Sequence, residues 1–262
     1  MLKIEVLYSE VANLFGDVAN IRYLEKSIPD CEVVYTTLQE KPAFTDPAAD
    51  VGLLYMGPMP EFAQELAIKA LLPYRDELKA YIESGRVGLF TGNAWEVLGQ
   101  YIEKDDGSRI EALGLHPGHA VRRMMQRYNS LYLGRLALPA DPAAQSSLAY
   151  QTGLKEDGSP LDIIGFKSQF SQTVGVPGSL RAFRTVRECD AEHTGTDEGV
   201  RMGNFFGTYL LGPFLIVDIP FTKYLFGLLG LPEAKPAFEE DAMYCYEKRM
   251  EDFLDQIGRA HV

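Results

Sequence analysis

The run Arg86-Val87-Gly88-Leu89-Phe90-Thr91-Gly92-Asn93-Ala94-Trp95-Glu96-Val97-Leu98-Gly99 constrains this chain more than any other stretch. It reads as a short buried strand, a sharp glycine turn and the start of a helix. In an open α/β sheet, ligands bind outside the carboxyl ends of the strands. A tight strand-to-helix turn there can hold one side chain in a strained, exposed pose, the geometry of a nucleophile elbow. The residue at that turn decides the chemistry, and no cysteine occupies it.

The elements around this run set the fold class. Residues 2–8 read as a first strand, followed by a loop-to-helix junction, Leu14-Phe15-Gly16-Asp17-Val18-Ala19-Asn20, with Asp17 a good N-cap residue. Residues 32–36 form a β-branched second strand and residues 51–55 a third, ahead of the loop Met56-Gly57-Pro58-Met59-Pro60. Apolar residues at three- and four-residue spacing over 61–84 predict a long helix or a pair broken near Pro73. Strands alternating with helices imply a mostly parallel open sheet with helices on both faces and right-handed crossovers.

The texture changes beyond Lys104, where hairpins replace helices. Residues 120–138 are strand-like, 161–170 give a strand ending in Lys167-Ser168-Gln169-Phe170, and 188–198 read as a solvated acidic loop. Residues 200–213 give a last strand and tight turn, with helices expected over 222–229 and 240–257. The expectation is one α/β domain over residues 1–262 with an antiparallel elaboration in its second half.

Charge and cysteine use exclude several function classes. The formal net charge of -12 opposes a nucleic-acid partner, because phosphate backbones are held by clustered cations. Cys31, Cys189 and Cys245 have neither metal spacing nor an even count, which suits reduced thiols. Cys31 reads as buried and inert. There is no signal-peptide pattern and no apolar run long enough for a membrane span, so a cytoplasmic location without membrane partners is expected. No glycine-rich phosphate loop followed by Lys-Ser or Lys-Thr occurs, and no cofactor is expected.

Four stretches together resemble the class I glutamine amidotransferase domains of the cobyric acid synthase type, which have a flavodoxin-like fold. The branch most like this chain is the amidotransferase subunit that works with a Mur-ligase-like partner in lipid II isoglutaminyl synthase. The stretches are residues 14–20, residues 50–57, the elbow from Gly88 to Gly99, and Gly207-Thr208-Tyr209-Leu210-Leu211-Gly212-Pro213, which is similar to the family's Gly-Thr-Tyr-x-His-Gly-Pro turn. In order and spacing they cover most of the chain.

The resemblance implies a cysteine thiolate at the elbow, a histidine to move the proton, and backbone donors for the oxyanion. Counted back from Leu98-Gly99, the family's cysteine position falls on Gly92, between Thr91 and Asn93; its histidine position falls on Leu211. Neither residue can do the chemistry. The expectation is an amidotransferase-like protein without glutaminase activity, a structural or regulatory partner of a Mur-ligase-like enzyme or another synthase. The alternative is an active amidotransferase supplying ammonia for a peptidoglycan or corrinoid precursor. A third reading is a sensor that binds glutamine or a similar amide without turning it over.

Individual residues carry a sharp and a bland reading. Thr91 is a replacement nucleophile only if a base is near, and otherwise packs at the strand end. Asn93 and Glu96 could hold a small polar ligand, with Gly57 offering a backbone N–H; a pocket filled by side chains is the plainer expectation. Gln169 lines the pocket or simply ends a strand. His116 and His119 lack a neighbouring carboxylate or cysteine at ligand spacing, so a surface loop is expected and no metal. Arg122, Arg123 and Arg127 read as a solvated strand face. Met243, Tyr246, Met250 and Phe253 form the docked stripe of a terminal helix.

Overall fold

A computed structural model describes residues 1–139, 145–188 and 197–254. Thirteen strands are defined among these residues: β1 (Leu2–Leu7), β2 (Cys31–Thr36), β3 (Val51–Met56), β4 (Val87–Thr91), β5 (Tyr101–Glu103), β6 (Arg109–Glu111), β7 (His119–Arg122), β8 (Tyr128–Leu136), β9 (Asp162–Gln169), β10 (Ser171–Val174), β11 (Phe183–Glu188), β12 (Val200–Met202) and β13 (Phe205–Thr208). The main sheet runs β12-β13-β4-β3-β1-β2 and is parallel except for the β12–β13 hairpin. Its parallel part has the flavodoxin-like strand order. Two smaller sheets, β10-β7-β5-β6 and β11-β8-β9, form the antiparallel elaboration, within which only the β5–β7 pair is parallel.

Period-two alternation sends each central strand to both faces. Leu54, Met56, Phe90 and Phe205 pack with helices α2 (Glu61–Leu71) and α3 (Arg75–Glu83) and with the 3-10 segment Gly92–Leu98. Leu53, Tyr55, Leu89 and Phe206 pack with helix α1 (Ala19–Ser27) and the aromatic run Phe214, Phe221, Tyr224 and Phe226. Helices therefore cover both faces, as the alternating pattern implies. The break between α2 and α3 is a short 3-10 turn, Leu72–Tyr74, around Pro73.

Several expectations are corrected. Asp17 caps no helix: α1 follows Val18, and the Asp17 carboxylate is buried among side chains. The last strand is a hairpin, β12 and β13, because Gly203 supplies the left-handed turn between them (φ +65°). Arg122 is buried and donates to Gln64 (2.6 Å), so only Arg123 and Arg127 of that cluster reach solvent. Glu188 and Glu198 are buried rather than solvated. Cys31 is half-buried, its thiol pushed up by burial and by Glu25; Cys245 is exposed, and Cys189 lies outside the described residues. The terminal helix runs Glu239–Leu254, and its expected end at residue 257 lies outside them too. No helix among the described residues is long and apolar enough to cross a membrane.

The elbow strand lies against β13 at glycine. A methyl group on Gly88 would sit 2.1 Å from the Phe205 ring, which stacks edge-on against Phe90 (4.9 Å). Gly88→Ala should cost about 1–3 kcal/mol of stability, the usual range for overpacking a full core. Urea denaturation checks this, and an unchanged midpoint would contradict it.

Candidate functional site: a filled elbow

The carboxyl ends of β3, β4 and β13 converge with the loop at residues 14–20. Thr91 ends β4 in extended backbone and Gly92 turns the chain at φ +55°, a conformation that costs an L-residue roughly 1–2 kcal/mol. A Cβ on Gly92 would lie 2.5 Å from Pro58 Cβ and 3.2 Å from Leu211 Cδ2. The volume a nucleophilic side chain needs is thus occupied by two apolar groups. Leu211 is held in place because its N–H donates to the Phe166 carbonyl (2.8 Å). Pro58 also lacks a backbone N–H, so the residue after Gly57 offers no donor to an oxyanion.

The neighbouring polar groups are turned to structural use. The Thr91 hydroxyl and the Tyr55 hydroxyl both donate to Asp17 Oδ2, and Asn20 Nδ2 donates to the Asp17 carbonyl (2.9 Å) and to Tyr55 (3.1 Å). Burial pushes the Asp17 carboxyl up to about 6, although the Thr91, Tyr55 and Asn20 hydrogen bonds pull the other way. Asn93 spends both ends of its amide on Met59, accepting from its N–H (2.9 Å) and donating to its carbonyl (2.7 Å). Glu96 is wholly buried, accepting from Gln64 (2.9 Å), Tyr209 (2.9 Å) and Ser171; burial raises its carboxyl. Glu96 is buried and Asn93 half-buried, and Gly57 is closed against Ala12, whose carbonyl lies 2.7 Å from where a Cβ would be.

Gln169 stands apart from the elbow and lines a separate cavity with Trp95, Lys167 and Tyr209. Lys167 Nζ sits between Glu188 (2.6 Å) and Glu198 (2.7 Å), over the Tyr132 ring. Burial would pull the ammonium down, but Glu198 and Glu188 outweigh it and raise it. His116 is no surface residue: it is buried beside Trp95, and its Nδ1 accepts from Gly118 N (3.1 Å). Burial, then Arg181, lowers it to about 4. Among the described residues no group of His, Cys, Asp and Glu is placed to hold a metal.

No family model matches. The GatD subunit of lipid II isoglutaminyl synthase (glutamine-hydrolyzing) from Staphylococcus aureus strain N315 is 26% identical over 223 residues, covering 83% of this chain and 79% of the relative. The same subunit from Streptococcus pneumoniae strain ATCC BAA-255 / R6 is 26% identical over 223 residues, covering 82% and 75%. This chain is glutamine amidotransferase-like. A solved glutamine amidotransferase from Thermotoga maritima overlays with a TM-score of 0.49 at 10% identity (94% of this chain, 92% of that one), and a second solved glutamine amidotransferase with 0.48 at 12% (86% and 98%).

The sequence reading located Gly92, Thr91 and Leu211 at one place, and they do meet there. It missed Pro58 as their neighbour, although a proline directly after Gly57 was a visible sign of a lost donor. It also missed Asp17 as the acceptor for Thr91. A carboxyl raised by burial makes the native state bind a proton that the unfolded chain releases, so stability falls as pH rises from about 4 to about 6. Asp17→Asn should remove that slope. The stability difference between variant and parent should shift in the variant's favour by roughly 2–3 kcal/mol across that window, at 1.36 kcal/mol per pKa unit. Urea titrations at several pH values measure it, and parallel curves would contradict it.

Proposed function

We propose that this chain, as one amidotransferase-like domain over residues 1–262, has lost glutaminase activity and serves as a structural or regulatory partner of a Mur-ligase-like amide-forming enzyme. The observation that carries the reading is the contact of Gly92 with Pro58 and Leu211 at the positions that resemble the family's cysteine and histidine. Losing either member of a nucleophile–base pair costs several orders of magnitude in rate. Thr91 does not replace the thiolate, because it is fully buried and its hydroxyl is held on Asp17 rather than presented to a substrate.

The Mur-ligase-like partner is what the sequence resemblance implies, and the similar subunit of lipid II isoglutaminyl synthase is glutamine-hydrolyzing. That similarity favours the second reading, an active amidotransferase feeding amidation of a peptidoglycan or corrinoid precursor. Release of labelled ammonia from amide-labelled glutamine separates the two. The purified chain, alone and with a ligase encoded beside it, should release no more than the buffer blank, while a stable complex with the ligase still forms on gel filtration. Turnover, with or without the ligase, would overturn the proposal. Gly92→Cys with Leu211→His should remain inactive while Pro58 occupies the space of the new Cβ. It should gain measurable turnover only when Pro58→Gly is added.

A further inference from the structure

The main sheet ends in two unlike edges. At one end β12 is a strand of 3 residues, and at the other β2 has 6. β2, Cys31-Glu32-Val33-Val34-Tyr35-Thr36, runs against β1 in unbroken register and carries neither proline nor lysine. Shortness, bulges, prolines and lysines are what ordinarily keep an edge strand from pairing with another chain, so β12 is blunted and β2 is not. Helix α1, β2 and the loops flanking them all lie within the described residues, and no strand among those residues pairs with the outer side of β2.

The ladder fixes which groups this edge presents. Leu7 lies opposite Thr36, whose carbonyl accepts from Tyr8 N (2.7 Å). Alternation along a parallel pair then turns the N–H and C=O of Glu32, Val34 and Thr36 toward β1, and those of Cys31, Val33 and Tyr35 outward. Cys31 N already donates to the Ile28 carbonyl (3.1 Å), whereas Val33 and Tyr35 find no backbone partner among the described residues. An antiparallel copy of the same strand satisfies both at once. Val33 of each copy exchanges its N–H and C=O with Tyr35 of the other, about a twofold axis at Val34, and the Cys31 bond is left intact. Val33 packs into the core on the α1 side, and Tyr35, on the same face, is 45% exposed, so the register also sets a β-branched side chain beside an aromatic one.

Charge selects a second copy as the occupant. Arg22 and Glu25 on α1 are exposed, and both act on the Tyr35 hydroxyl: burial and Glu25 raise it, and Arg22 lowers it. One cation and one anion beside an edge are self-complementary, because a twofold axis carries Arg22 of each copy toward Glu25 of the other. Glu32 is held by Lys3 (3.5 Å) and falls opposite Thr36 in this register rather than against a like charge. We propose that β2 pairs antiparallel with β2 of a second copy of this chain, Val33 opposite Tyr35, joining the two main sheets into one. The pairing is independent of whether the elbow has lost its chemistry, since β1 and β3 separate β2 from the elbow strand β4.

Sedimentation velocity on the full chain, from micromolar to hundreds of micromolar, should show a reversible rise from the monomer mass to twice that mass. Hydrogen exchange followed by NMR reads the edge itself: the Val33 and Tyr35 amides should be protected at high concentration and exchange freely when dilute. Arg22→Glu sets like charges across the axis and should weaken dimerisation about tenfold; adding Glu25→Arg should restore it. Tyr35→Pro removes an outward N–H that β1 does not use, a change that edge strands tolerate, and should leave a folded monomer. A monomer at every concentration would overturn the proposal. So would a dimer that Arg22→Glu leaves unweakened or that the double exchange fails to restore. Edge amides protected only when the ligase is added would also overturn it, and would make this edge that partner's site.

Discussion

The Asp17 carboxylate is the tie on which the carboxyl-end face of the sheet depends. It is buried between the first loop and the ends of two strands, and it accepts hydrogen bonds from the hydroxyls of Tyr55 on β3 and Thr91 on β4. Asn20 extends the tie, accepting from Leu215 N (2.8 Å) and so joining the aromatic run after β13. A buried charge of this kind is costly unless its partners satisfy it. Tyr55 and Thr91 offset only part of that cost, since burial still raises the carboxyl and its Oδ1 meets no partner among the described residues, but they fix the first loop against β3 and β4.

That tie places Gly92 where the chain must turn left-handed, and the surroundings then settle what the turn can do. With no Cβ, the turn is filled from one side by Pro58 and from the other by Leu211. Polar groups that would line an open pocket are spent on the protein itself: Asn93 on Met59, Glu96 on Gln64, Tyr209 and Ser171. Each polar group so occupied stiffens the elbow and removes a contact for a bound amide. A cavity lined by Trp95, Gln169 and Lys167 includes none of Gly92, Pro58 and Leu211 in its wall.

The main sheet was legible in the sequence because its strands carry β-branched and apolar runs and its helices carry three- and four-residue spacing. The bounds of β2, β3 and β9 differ from the sequence reading by a residue or so. Less legible was anything set by long-range pairing. Asp17 followed by a helix looks like a cap locally, and only the fold brings Tyr55 and Thr91 to it. Arg122, Glu188 and His116 look solvated in isolation, but each is buried, Arg122 against Gln64 on α2, Glu188 against Lys167 on β9 and His116 beside Trp95. The elbow's vacancy at Gly92 could be read from spacing, whereas the filling of that vacancy by Pro58 and Leu211 could not.

The most direct test of the filled elbow is covalent. Incubation of the intact protein with 6-diazo-5-oxo-norleucine, an electrophilic glutamine analogue that traps an activated nucleophile, is followed by mass spectrometry. The account predicts an unshifted mass for this chain under conditions that fully label a cysteine-containing relative. A stoichiometric adduct mapping to Thr91 or to any residue at the turn would contradict it.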